Sequence, residues 1–311
     1  MNLLEGHGLR KYYHRRGYQI QAVDGVDISM KEHEALGLVG ESGSGKSTLM
    51  RLLLLLERPS AGDLYFRGGK LNSGGAQRWS HFRREVQAVF QDAAASLNPR
   101  LSVGRIVAEP LLNFGPELGS HRIDERVAAA LERVGLQRDD RRRYPHEFSG
   151  GQQRRIALAR ALVADPPLIL CDEITSGLDL SVQAKLLNLF RDLQEESRAG
   201  FLFISHDLGA MRYLCSRVAV IYAGKIVEEL PVSSLEQPLH PYTQALLAAE
   251  AQLFAPSEMY LLEGEPPDPA AYPAGCRFHP RCPIRMKRCT EESPRLTTVR
   301  VGHRAACFTA H

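Results

Sequence analysis

Ala35-Leu-Gly-Leu-Val39 followed by Gly40-Glu-Ser-Gly-Ser-Gly-Lys46-Ser47-Thr48 is the stretch on which the fold turns. A short aliphatic run of this kind reads as a buried strand, and the leucine-rich stretch Lys46 to Leu56 after it reads as a helix. The loop between them fits G-x-x-x-x-G-K-[ST] in the strand, loop, helix context the motif requires. Glycines let the backbone curl until successive N–H groups point inward at a phosphate, and the helix start adds its positive dipole end. Gly40, Glu41, Ser42, Gly43, Ser44, Gly45, Lys46, Ser47 and Thr48 are therefore the expected phosphate-binding residues. Lys46 would reach the β and γ phosphates of a nucleotide, and the Ser47 hydroxyl would ligate Mg²⁺.

Outward from that loop, short apolar runs alternate with helical patterns, the rhythm of an α/β domain with a largely parallel sheet. Residues 85–90, 168–171 and 201–204 read as further buried strands. Residues 152–163 and 181–196 read as helices, the latter with Val182, Leu186, Leu189 and Leu193 at helical spacing. Residues 100–148 hold helical stretches at 106–112 and 123–134 about a Gly/Pro-rich turn, and no convincing strand, so they are expected to be a helical insertion. The strand at 168–171 ends in Asp172-Glu173. Adjacent strand residues point to opposite faces, so the two acids divide the work. Asp172 would hold the metal's water shell, and Glu173 would accept a proton from the attacking water.

The chain has 311 residues, 44% hydrophobic and 24% charged, which excludes wholesale disorder, collagen-like repeats and a small disulfide scaffold. Its longest purely aliphatic run is Leu52 to Leu56, far short of the ~20 apolar residues that cross a bilayer. The first residues show no secretory leader, so a cytoplasmic address is expected. Net charge is +3, but it is uneven: residues 276–311 carry eight Lys/Arg against Glu291 and Glu292, leaving −3 for the remainder. Eight of the eighteen prolines lie between Pro256 and Pro294, and four of the six cysteines lie beyond Cys276 inclusive. We therefore expect an ATPase domain over 1–255 and a small Cys/Pro-rich C-terminal module over 256–311.

A short, basic, proline-rich segment with little apolar material commonly needs a staple. Cys276, Cys282, Cys289 and Cys307 supply four soft ligands, but without the close C-x(2–4)-C pairs that zinc ribbons favour. A [4Fe–4S] cluster, zinc, or four reduced thiols without metal are the readings this spacing leaves. Cys171 and Cys215 read as small buried hydrophobes.

Phe148-Ser149-Gly150-Gly151-Gln152-Gln153-Arg154 resembles the signature sequence of ABC-type ATPases. In that family Ser149 and the helix-start N–H groups around Gly150, Gly151 and Gln152 would face the γ-phosphate held by a partner subunit, so that two ATP molecules lie at a dimer interface. The resemblance implies a P-loop ATPase cassette with a helical subdomain. It further assigns Gln91 to sensing Mg²⁺ and the attacking water, His206 to contacting the γ-phosphate, and Asp179, in Ser176-Gly-Leu-Asp179, to communication across the dimer. Tyr13 takes the place of the adenine-stacking aromatic, with Tyr12 beside it as the alternative.

Residues 96–111, 239–249 and the tail GEPPDPAAYPAGCRFHPRCP look like ATPase subunits of oligopeptide and dipeptide importers, a group with nickel and glutathione relatives. That likeness implies two integral-membrane permease subunits, a second cassette that is either identical or a paralogue, and indirectly a substrate-binding protein. Location is then peripheral, on the cytoplasmic face of the inner membrane, and such tails are ones in which an iron–sulfur cluster is found. A soluble ABC ATPase acting on nucleic acid or ribosomes is the competing class. The motifs occur once each and no long coiled coil separates Lys46 from Ser149, so nucleic acid is not expected as a partner.

Overall fold

The computed structural model describes residues 2–15, 17–72, 76–114, 118–252 and 264–310. The chain divides into two compact units, one comprising Lys31–Glu34 and Ser73–Leu202, the other Asn2–Met30, Ala35–Asn72 and Phe203–His311. The expected module boundary near 256 lies outside the described residues, as does part of the expected turn at 115–117. Residues 264–310 fall in the same unit as the phosphate loop.

In the unit built on residues 73–202, the helix Ala76–Glu85 leads into the strand Val86–Val89, which pairs in parallel with Leu168–Asp172 from Val86↔Leu168 to Val89↔Cys171. Every residue of Leu168–Asp172 is buried, as its unbroken apolar run predicts. Between these strands come helices Ala93–Ser96, Val103–Phe114, Ser120–Arg133 and Gly150–Leu162, with two short 3₁₀ turns and, among the described residues, no strand. The helical insertion is thus observed, its two main helices each beginning three residues earlier than the apolar periodicity suggests. Leu180–Glu196 follows and buries Leu186, Phe190 and Leu193 along one stripe.

In the other unit, Ala35–Val39 pairs in parallel with Arg217–Tyr222, which pairs antiparallel with Lys225–Pro231. A C-terminal hairpin, Thr297–Arg300 and His303–Ala305, extends that array by pairing Glu228 with Ala305 and Glu229 with Arg304. A separate four-stranded antiparallel sheet holds Asn2–Arg15, Tyr18–Lys31, Ala61–Phe66 and Gly69–Lys70.

The helix after the phosphate loop runs Lys46–Leu53, three residues shorter than the leucine run suggests. Leu55 takes a left-handed φ of 53°, Leu55 N–H donates to the Leu52 carbonyl, and Leu56 N–H donates to the Arg51 carbonyl. This closure satisfies the last carbonyls of the helix, with a leucine where glycine is usual.

Candidate nucleotide site

Gly45 is the N-cap of Lys46–Leu53, with φ 106°, and a Cβ there would stand 2.3 Å from the Ala22 carbonyl oxygen. Only glycine meets both demands. No side chain caps this helix, so its first-turn N–H groups are left for an anion. Ser44 N–H donates to the Glu41 carbonyl at 3.2 Å and Gly224 N–H to the Ser44 carbonyl at 2.8 Å, which closes the curl. Lys46, 5% exposed, lies back along the loop and donates to the carbonyls of Gly40 (2.7 Å) and Glu41 (2.8 Å). The buried Ser44 Oγ has no hydrogen-bond partner among the described residues, an arrangement that fits a phosphate oxygen as its complement. Ser42, Gly43 and Ser47 are exposed, and Thr48 is half-buried.

Tyr13 Oη donates to Glu57 at 2.5 Å, and Lys11 lies over its ring at 5.1 Å. Tyr12 Oη donates to Asp24 at 2.6 Å. Burial, followed by its hydrogen bond to an acid, holds each phenol above the usual tyrosine range. His206 is exposed just after the strand Gly200–Ser205, and Asp207 caps the next helix by accepting from Ala210 N–H.

The remaining expected residues belong to the 73–202 unit. There Gln91 Nε2 donates to Glu173 Oε2 at 2.8 Å, joining the two residues assigned to the attacking water. Asp172 is the last, buried residue of its strand, whereas Glu173 is half-exposed with a left-handed φ of 44°. A non-glycine residue pays for that conformation, and such strain concentrates at functional positions.

Ser149 is the N-cap of Gly150–Leu162. Its Oγ accepts from Gln152 N–H at 3.4 Å while Gln152 Oε1 accepts from Ser149 N–H at 3.0 Å. This capping box holds the exposed start of the signature helix rigid. Gly151 packs closely on the next helix, since a Cβ there would stand 3.3 Å from the Val182 Cγ1 methyl and would press it aside by a few tenths of an ångström. Asp179 caps Leu180–Glu196, accepting from Val182 N–H (2.9 Å) and Ser181 Oγ (2.8 Å). The backbone bond, then the hydroxyl, holds its carboxyl below the usual range. Arg154 Nη2 donates to the Ser176 carbonyl at 2.6 Å, fastening the signature helix to the Ser176–Asp179 loop.

The four C-terminal cysteines line one small cavity, about 20 Å³, together with His240, Phe278 and Phe308. The metal expectation is not met by the geometry: among the described residues no group of three or more His, Cys, Asp or Glu side chains stands close enough to hold a metal ion. The cavity accepts about one water molecule. Burial pushes the Cys276 thiol up to about 11 and raises Cys282 as well. The four cysteines share this cavity without standing as a metal-holding group among the described residues, and no step is derived through a [4Fe–4S] cluster or zinc. Cys171 and Cys215 are buried, as expected of small hydrophobes.

What spacing did not reveal is how these tail residues reach the rest of the unit. Tyr222, Tyr242 and Phe278 form a buried aromatic cluster with centroid separations of 4.5 to 5.5 Å. Fully buried Glu228 accepts from Leu239 N–H, His240 N–H and His303 Nε2. The HPYT tetrad beginning at His240 therefore sits between the phosphate-loop strand's neighbours and the tail.

Comparison with known proteins bears on the family and the fold. Residues 23–176 match the ABC transporter family and residues 227–289 match the oligopeptide/dipeptide transporter C-terminal region. A Brucella ovis protein named for peptide import ATP binding is 44% identical over 98% of this chain and 97% of its own length. A dipeptide transport ATP-binding protein of Haemophilus influenzae is 41% identical over 98% of this chain and 96% of its own. An oligopeptide transport ATP-binding protein of Salmonella typhimurium is 44% identical over 88% and 84%. Among solved structures, a dimeric ATP-binding cassette in a post-hydrolysis state with ADP and Pi superposes with a TM-score of 0.68 at 29% identity, covering 74% of this chain and 98% of that one.

Proposed function

This chain belongs to the ABC transporter ATP-binding proteins of the oligopeptide and dipeptide branch, and on that premise we propose that it hydrolyses ATP to drive peptide uptake through a separate permease. The observation that carries the reading is likeness to peptide-transport subunits along 98% of the chain, including the C-terminal region that shared nucleotide motifs do not explain. Among the described residues no helix is long and apolar enough to cross a membrane, in keeping with a channel supplied by two permease subunits. A second cassette, identical or paralogous, completes the dimer, and a binding protein delivers the peptide. Attachment is peripheral, on the cytoplasmic face of the inner membrane.

In this reading Lys46 exchanges its two loop carbonyls for the β and γ phosphates, and Tyr13 stacks on adenine. Ser47, Asp172 and Gln91 are the residues that would hold Mg²⁺, which when bound neutralises the charge developing on the phosphates. Glu173 takes a proton from the water, Gln91 steers that carboxylate and the water, and His206 contacts the γ-phosphate. Ser149, Gly150, Gly151 and Gln152 present their helix start to the partner's nucleotide, and Asp179 relays closure. An iron–sulfur centre at Cys276, Cys282, Cys289 and Cys307 rests only on their sharing one cavity; iron in anaerobically purified protein is its measure.

Removing the proton acceptor separates binding from chemistry. Glu173→Gln is expected to bind ATP like the parent, to trap the closed dimer, and to lose at least about 100-fold in phosphate release. Parent-like steady-state turnover in that variant would remove Glu173 from its role.

A further inference from the structure

The phosphate loop is held from outside by the C-terminal segment. Glu41, its second residue, receives Arg281 as a fork, Nη1 to Oε2 at 2.9 Å and Nη2 to Oε1 at 3.2 Å. The arginine side chain is 7% exposed and the glutamate 23%, so the pair is shielded from the water that weakens surface pairs. Two parallel bonds fix a carboxylate's orientation as well as its place. The backbone of the same residue is equally committed: Glu41 N–H donates to Tyr242 Oη at 2.8 Å, and its carbonyl accepts from Lys46 Nζ and Ser44 N–H.

A second clamp lies four residues earlier in the same turn. Arg277 donates to Asp24 (2.6 Å), Gln21 Oε1 (2.6 Å) and the Ala223 carbonyl (2.5 Å), and Asp24 in turn accepts from Tyr12 Oη. Arg277 and Arg281 follow and precede, respectively, Cys276 and Cys282 of the shared cavity. The cysteine-lined turn thus reaches the phosphate loop through one arginine and the tyrosine-bearing strands through the other.

Charge gives the first contact its purpose. A carboxylate inside a loop shaped for polyanionic phosphates repels them unless a cation cancels it. We propose that Arg281 is a positioning residue for nucleotide binding: by neutralising and orienting Glu41 it makes the phosphate loop receptive, so that the C-terminal segment is part of the ATP site. The proposal rests on the reading of that loop as the nucleotide site.

The test is calorimetric titration of the full chain with Mg-ATP. Arg281→Gln is expected to weaken ATP binding about tenfold, the order for a carboxylate left unpaired near a polyanion. Adding Glu41→Gln in that background is expected to restore most of the loss, because the repelling charge is gone. If Arg281→Gln does not fold alone, the Glu41→Gln, Arg281→Gln double variant is compared with Arg281→Lys, which keeps the cancelling charge but not the fork and is expected to lose only about threefold. Unchanged affinity in the single variant, or no restoration in the double, overturns the proposal, the latter showing a merely structural contact. Lys46→Ala is the control: parent-like ATP binding there would overturn the nucleotide-site reading itself, and this proposal with it.

Discussion

Glu173 shows how one residue carries information that its spacing only half discloses. The sequence places it after a buried strand beside Asp172, and that much was legible because strand geometry alternates faces. Its left-handed backbone and its bond to Gln91, 82 residues away, were not, since neither leaves a local pattern. His240 is the converse case, a residue within the stretch 239–249 noted for its resemblance, whose physics appears only on burial. Enclosure alone pushes its pKa down to about 3. The unfolded chain takes up a proton near pH 6.5 and the folded chain does not until about 3, so below 6.5 the unfolded state binds more protons. Stability is therefore unaffected by this group above pH 6.5 and falls as pH drops, by about 2 kcal/mol at pH 5. Denaturant titrations at pH 7.5 and 5 are expected to show that loss in the parent and a smaller one in His240→Gln.

At the scale of elements, the buried parallel strands were readable because they are continuous apolar runs, and the signature helix because residues 152–163 carry a helical pattern; its Ser149–Gln152 cap came only with the structure. Ser149→Ala is expected to cost about 1 kcal/mol of unfolding free energy, measurable by denaturant titration, in addition to any effect on partner nucleotide. The long strand Tyr18–Lys31 was missed for a specific reason. Val26, Ile28 and Met30 alternate as a half-buried strand should, but Gly25, with φ 71°, breaks the step, so that Val23 and Val26 are both buried although three apart. A single bulge of this kind erases period-two alternation from the sequence while the strand continues. Asn2–Arg15 pairs with Ala61–Phe66 through a similar irregularity between His7 and Arg10.

For the whole chain, the cassette assignment was legible from ordered motifs, whereas the use of the tail was not. Charge and cysteine counts suggested a basic appendage; the structure shows its aromatic and arginine side chains built into the unit that holds the phosphate loop. Phe278 is 1% exposed against Tyr222 and Tyr242, so Phe278→Ala is expected to cost about 3–5 kcal/mol and to lower the melting temperature clearly. A melting temperature equal to the parent's would mean the tail packs independently. Among the described residues the cysteine cavity and the phosphate loop are thus joined by short runs of contacts, which no residue spacing encodes because their members come from residues 24, 41, 222, 242, 277 and 281.

Glu41 and Arg281 stand 240 residues apart in the chain. On a ribosome adding about 5–20 residues per second, the glutamate waits roughly 12–48 s for its arginine to be made. If Arg281 acts as proposed, the growing chain carries its phosphate loop long before it carries the group that neutralises Glu41, and full affinity for nucleotide comes only after residue 281 has been added and has left the ribosome.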